Sequence, residues 1–251
     1  MQSLLDRRVP PRTRLDLLVV DLRRKSANRE LYGVRYGKGR IYLSDADYHV
    51  DRKSFDFAVV EESYATDYDG AVVLDLGAHK GYFGAYAVTH GARCVVAFEP
   101  ESANLAVLER TADGYRDGVD WTIRHTAVDA APGRSDLHVM RASWGHALRP
   151  PEAWAEHEVG VESVEVVALA DALAEAVALG VGRLVVKMNI EGAECSAILE
   201  SAPGVWDGVS EVFVETHPWA ACGADELATH LAASGLTRAE SAHPAVLRMR
   251  R

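Results

Sequence analysis

The spacing of apolar and polar positions changes rhythm near residue 70. Before it, Leu15, Leu18, Val19 and Leu22 recur at helical spacing, which predicts a short amphipathic helix over residues 13–25. "LYGVRYGKGRIYLS" alternates on either side of Gly37–Gly39 and predicts a β-hairpin. Residues 54–64 again suit a helix, so residues 1–70 read as a helix and hairpin cap. Beyond residue 70, strands and helices alternate. "AVVLDLG", "ARCVVAFEP", "VDWTIRHTAV", "RLVVKMNI" and "EVFVETHP" read as strands. Helices are predicted at 82–89, 101–111, 171–178, 193–200 and 224–234, and "LTRAESAHPAVLRMR" reads as a closing hairpin. Between them, residues 130–165 look irregular apart from a hairpin at "RSDLHVM". Strands as continuously apolar as "VVLDL", "CVVAF" and "LVVKM" are buried on both faces. They predict an α/β fold: a mostly parallel sheet between two layers of helices, with one antiparallel strand from the closing hairpin.

Composition narrows the functional classes. A net charge of −10 disfavours a nucleic-acid partner, which needs a basic face. The one basic stretch holds Arg7, Arg8, Arg12, Arg14, Arg23, Arg24, Lys25 and Arg29, and reads as a solvated helix face or a minor docking patch. No apolar run reaches the roughly 18 residues of a membrane span, and the N-terminus lacks an apolar signal core, so a cytoplasmic protein is expected. Cys94, Cys195 and Cys222 are odd in number and widely spaced, and read as reduced thiols. His138, His146 and His157 read as loop histidines that, with Trp144, could line a pocket.

The candidate chemistry lies in "VVLDLGAHKGYFGAYA", a strand, glycine turn and helix. A dinucleotide turn needs a bare second glycine for the pyrophosphate; here His79 stands in that place, and Asp75 would repel a diphosphate. S-adenosylmethionine reverses that electrostatic argument, because it carries a sulfonium and an ammonium and no phosphate. Glu99, 22 residues after Gly77 at the end of the next strand, suits the ribose hydroxyls.

Three blocks, "VVLDLGAHKGYFGAYA", "VVAFEPESANLAVLERT" and "LVVKMNIEGAECSAIL", with "EVFVETHP" as a weaker fourth, resemble the FkbM family of S-adenosylmethionine-dependent methyltransferases. The resemblance implies a class I methyltransferase (Rossmann-like) fold with a seven-stranded sheet whose last strand is antiparallel. It assigns cofactor binding to residues 71–251, and to Asp75, Gly77, Ala78, His79, Gly81, Phe83, Glu99, Pro100 and Ala127. It further implies O-methylation of a small molecule such as a sugar or polyketide. The chain departs from the family at Asn189, where aspartate is usual. Asparagine cannot take a proton and is a poor magnesium ligand, so no metal is expected.

Ligands of open parallel sheets bind at the carboxyl ends of the strands, which gathers Asp75, Asn189, Glu191, Glu194, Glu215 and His217. Of these, Asn189, Glu191 and His217 are the catalytic candidates, with His217 or a glutamate as base. Glu194 reads equally as a helix-end carboxylate and Lys187 as the partner of one of the acids. An RNA ribose 2′-O-methyltransferase and a non-catalytic cofactor-binding subunit stay open as alternatives, as does self-association.

Overall fold

The computed structural model describes residues 6–24, 30–180 and 182–251; Lys25 and Arg29 of the basic stretch lie outside them. Five strands run parallel in the principal sheet: β3 (Val72–Leu76), β4 (Cys94–Phe98), β5 (Asp120–Arg124), β9 (Leu184–Met188) and β10 (Glu211–Glu215). The closing hairpin adds β11 (Thr237–Ala239) and β12 (Val246–Arg250), with β12 antiparallel to β10. The order β11-β12-β10-β9-β3-β4-β5 makes seven strands, the topology expected of a class I methyltransferase fold.

The two-residue period of each strand divides the apolar interior. Val73, Val95, Ala97, Val185 and Phe213 point to one face, where they meet Tyr82, Phe83 and Tyr86 of helix α3 (Tyr82–Thr89). Leu74, Val96, Val186, Met188 and Val214 point to the other. There they meet α5 (Leu169–Ala178), α6 (Glu194–Leu199) and α7 (Ala224–Ala232). Helix α4 (Ser102–Asp113) completes the crossover from β4 to β5, its N-terminus capped by the Glu101 carboxylate through Ala103 N–H and Asn104 N–H.

The N-terminal region joins the α3 face rather than forming its own interior. Helix α1 (Pro11–Arg23) and the hairpin β1 (Leu31–Tyr36)–β2 (Gly39–Ser44) contribute Leu17, Val34, Ile41 and Leu43 to that cluster. The expected helix over 54–64 is displaced: α2 covers Tyr48–Phe55 and continues as a π turn, Asp56–Val60. The reason is polar burial. Asp51 and Arg52 belong to the inward face of α2, so apolar spacing alone misses its first turns.

Two further stretches depart from the sequence reading. The third strand breaks at His125–Thr126, and β6 (Ala127–Asp129) leaves the principal sheet to pair with β8 (Glu158–Ala168). In the 130–165 region the stretch "RSDLHVM" lies in β7 (Gly133–Met140), which pairs antiparallel with the more distant β8 to make a longer hairpin than expected. The alternation of valine and glutamate in "EVGVESVEVV" is its sequence signal.

Cysteine usage also differs. Cys195 and Cys222 form a disulfide, with Cα atoms 5.7 Å apart, and Cys94 is a buried free thiol. Their separation of 27 residues hides a spatial adjacency, since each follows one of two neighbouring parallel strands. Among the described residues no helix is long and apolar enough to cross a membrane.

Candidate functional site

The turn after β3 is fixed by backbone contact. Gly77 has φ +75°, and a Cβ there would stand 1.8 Å from the carbonyl oxygen of Asn189, so only glycine lets this turn lie against the loop after β9. The N–H groups of Gly77 and Ala78 donate to the Phe98 carbonyl, at 3.0 and 2.9 Å, tying the turn to the end of β4. Gly81, also at positive φ, opens α3.

Asp75 departs from its expected role as a cavity carboxylate. It is fully buried, does not line the cavity, and already has a cation: Lys187 Nζ lies 3.0 Å from Oδ1. The parallel register of β3 and β9 sets Asp75 directly beside Lys187. Burial pushes the Asp75 carboxyl up, and Lys187 opposes that shift. Lys187 Nζ also donates to the Gly77 carbonyl at 2.6 Å, so the pair supports the turn from beneath.

Glu99 follows β4 and is held before any ligand arrives. His79 N–H donates to Oε2 at 2.7 Å and Glu101 N–H to Oε1 at 3.0 Å. Burial lifts its pKa to about 8 despite those two donors. The His79 side chain, where a dinucleotide turn needs glycine, turns to Ser143 Oγ at 3.0 Å. Burial holds its ring well below the usual histidine pKa, with Lys80, His146 and Lys187 adding to the effect, so His79 is neutral.

The next residue is a latch between three segments distant in sequence. Lys80 Nζ is buried and donates to Asp51 Oδ1 (2.7 Å), Asp47 Oδ2 (3.0 Å), Ser44 Oγ (3.1 Å) and Ser143 Oγ (3.4 Å). The cap, the turn after β3 and the β7–β8 insertion therefore meet on one ammonium group.

At the other end, β9 and β10 deliver the catalytic candidates. Glu191 has φ +51°, a left-handed conformation that a side chain adopts only under constraint. Glu194 supplies that constraint by accepting from Ile190 N–H and Gly192 N–H, both at 2.7 Å, so it organises the loop. His217 Nε2 stands 3.2 Å from Asn189 Oδ1, 3.7 Å from Glu194 and 4.0 Å from Glu191. Its ring stacks on Trp219, whose own ring packs against Gly192. Burial works against charge on His217, but Glu194, Glu191 and Glu215 outweigh it and raise the pKa to about 9. That shift favours the charged form of His217 at neutral pH, which sequence alone did not signal. Burial also raises Glu191, to about 8, so this carboxylate, like Glu99, changes charge near neutrality. Glu215 accepts from the Tyr64 hydroxyl at 3.0 Å.

A cavity of about 690 Å³ joins the two ends. Of the residues singled out in the sequence, Gly77, Ala78, His79, Phe83, Glu99, Pro100, Ala127, Asn189, Glu191 and His217 line it, and Asp75 and Gly81 do not. Sequence reading missed Phe57 and Tyr64 of the cap and Trp154 and Trp219. Trp219 carried the one usable signal, lying two residues beyond His217. Trp144 and His146, from the insertion, also face the cavity.

Neither a protein-family model nor a curated protein sequence matches the chain. Among solved structures, it is similar to a putative RNA methyltransferase from Pyrococcus horikoshii (12% identity, TM-score 0.41, 92% of this chain and 98% of that one). It is also similar to magnesium protoporphyrin IX methyltransferase from Synechocystis with bound S-adenosylhomocysteine (9%, TM-score 0.45, 96% and 97%). A third is an S-adenosylmethionine-dependent methyltransferase from Agrobacterium tumefaciens (8%, TM-score 0.42, 90% and 71%). Likenesses this distant carry no inference about what the chain binds.

Proposed function

We propose that the chain is an S-adenosylmethionine-dependent methyltransferase that methylates a hydroxyl of a small molecule, as the FkbM resemblance implies. One observation carries the reading: a backbone-held carboxylate, Glu99, and a proton-exchanging pair, Glu191 and His217, face the same cavity of about 690 Å³. That volume lies within the roughly 300–1,000 Å³ of small-molecule sites.

The residues fit the cofactor. Each Glu99 oxygen accepts one N–H and keeps lone-pair capacity for a ribose hydroxyl. Ala78, Phe83, Pro100 and Ala127 offer apolar wall. Asp75 answers Lys187, whose ammonium lines the cavity, so that charge does not confront a cationic ligand unpaired. When bound, S-adenosylmethionine supplies a methyl carbon activated by its sulfonium.

A hydroxyl that accepted this methyl would have to give up its proton. Ionised Glu191 takes that proton. His217, charged beside it, steadies the carboxylate and donates to Asn189 Oδ1. The net charge of −10 argues against nucleic acid as acceptor, and within the basic stretch Arg8 is paired with Asp6 and Glu62.

Calorimetry with S-adenosylmethionine and S-adenosylhomocysteine tests the reading. At pH 9, where Glu99 is ionised, Glu99→Ala should weaken either by about 1.5–3 kcal/mol, roughly 10- to 150-fold, the range for a hydrogen bond to a charged group. No heat from either ligand, with tight binding of a nicotinamide dinucleotide instead, refutes it.

A further inference from the structure

A second cavity, of about 440 Å³, opens between the N-terminal end of α2 and the tip of the β7–β8 insertion. Ala46, Val50, Met140, Ala142 and Gly145 give it apolar walls. Trp144 and Trp154 line both this cavity and the larger one, so the two spaces adjoin across a pair of indoles.

Among the described lining residues, the charge left without a partner is positive. Arg141, His49 and His157 line the cavity. Arg141 is exposed and, among the described residues, its side chain has no carboxylate partner. His49 Nε2 accepts from Arg24 Nη2 at 3.1 Å, which brings a second guanidinium beside a lining residue. His157 has Glu156 at 3.7 Å, a residue that does not face the cavity. Asp47 is the sole acid of the lining, and Lys80 already holds it at 3.0 Å. In a chain of net charge −10, an apolar recess edged by a free guanidinium suits an aromatic anion.

We propose that this cavity is an outer subsite for the acceptor, taking an apolar, aromatic portion that bears an anionic group. The assignment to the acceptor rests on the methyltransferase reading; the aromatic anion site itself does not. An acceptor placed this way reaches from Glu191 past Trp144 and Trp154 to Arg141, stacking on the indoles between.

Two dyes that share one skeleton test it: 1-anilinonaphthalene-8-sulfonate and its uncharged counterpart N-phenyl-1-naphthylamine. Binding is followed by dye emission and by energy transfer from tryptophan. The wild type should bind the sulfonate more tightly than the neutral dye. Arg141→Glu should weaken the sulfonate by about tenfold or more, the size of one lost charged hydrogen bond, and leave the neutral dye unchanged. Gly145→Leu, at a lining position where an added Cβ meets only ordinary contacts of 3.7 Å and beyond, should exclude both dyes. Saturating S-adenosylmethionine should not displace the sulfonate. The proposal is overturned if Arg141→Glu leaves sulfonate affinity intact, if the neutral dye binds as well as the sulfonate, or if S-adenosylmethionine displaces it. Calorimetry of the same variants separates the two readings. S-adenosylmethionine binding that survives in Arg141→Glu leaves the methyltransferase reading standing whatever the dyes report. Charge-selective dye binding without any S-adenosylmethionine binding leaves the anion site standing alone.

Discussion

Replacing Lys80 by methionine removes one charge from a place where four oxygens converge within 3.4 Å. Methionine approximates the volume, so the effect is electrostatic. Asp51, fully buried, keeps the Ser44 N–H and hydroxyl, at 2.6 and 3.0 Å, with the Tyr82 hydroxyl beside it. Breaking a buried pair from one side costs about 3–5 kcal/mol, and the two remaining donors argue for the lower part of that range. Burial already raises the Asp51 pKa against the pull of Lys80, so losing Lys80 raises it further. A carboxyl whose folded pKa exceeds its unfolded value gives full stability below the unfolded pKa and loses it as pH rises through the folded one. The penalty of Lys80→Met should therefore be about 3–5 kcal/mol at pH 8 and at least about 1 kcal/mol smaller at pH 5, since each unit of differential shift is worth about 1.4 kcal/mol. Urea unfolding at both pH values measures it, and Lys80→Met with Asp51→Asn should recover part of the loss. A penalty under about 1 kcal/mol at pH 8, or one independent of pH, would falsify the latch.

Three further outcomes follow from the site and its surroundings. Turnover should rise with pH through about 8, where Glu191 ionises; Glu191→Gln should abolish that limb and cut kcat by about 10²–10⁴, and a limb near 6.5 that survives would return the role of base to His217. Excess EDTA should leave turnover unchanged, because charged His217 occupies the ground between Glu191, Glu194 and Glu215; loss restored by magnesium would reject this. Cys222→Ser should lower stability by about 2–4 kcal/mol from the freed 27-residue separation, read by denaturant titration, and thiol counting on the unfolded wild type should find only Cys94; three thiols would contradict the bridge.

Local apolar runs made the sheet legible, because β3, β4 and β9 are buried on both faces and have no other way to be so uniformly apolar. Glu99 was legible for a different reason: its place depends only on the length of one βα unit. What could not be read depends on register and on residues remote in sequence. The lysine beside Asp75 is set by which strand pairs with β3, a relation 112 residues apart. The charge of His217 is set by Glu191 after β9, Glu194 at the start of α6 and Glu215 at the end of β10, so its intrinsic pKa alone was a poor guide. Helix α2 was misplaced because Asp51 and Arg52 are buried for the sake of charge partners in other segments. The Cys195–Cys222 bridge was missed for the same reason as the lysine: strand adjacency is invisible to spacing.

The main cavity draws its walls from two kinds of chain. One side follows the ends of β3 and β4, where Gly77 cannot be altered without collision and Glu99 is committed to two backbone donors. The other comes from the cap, the insertion and the loop after β10, segments that meet through side chains such as Phe57, Trp154 and Trp219. Inheritance can therefore act on them separately. Substitutions in those three segments reshape one half of the cavity while the strand-end half stays fixed. On the methyltransferase reading, a library confined to residues 53–61 and 144–157, which leaves Ser143 to hold His79 and Lys80, should diversify what the protein accepts while its affinity for S-adenosylmethionine drifts little.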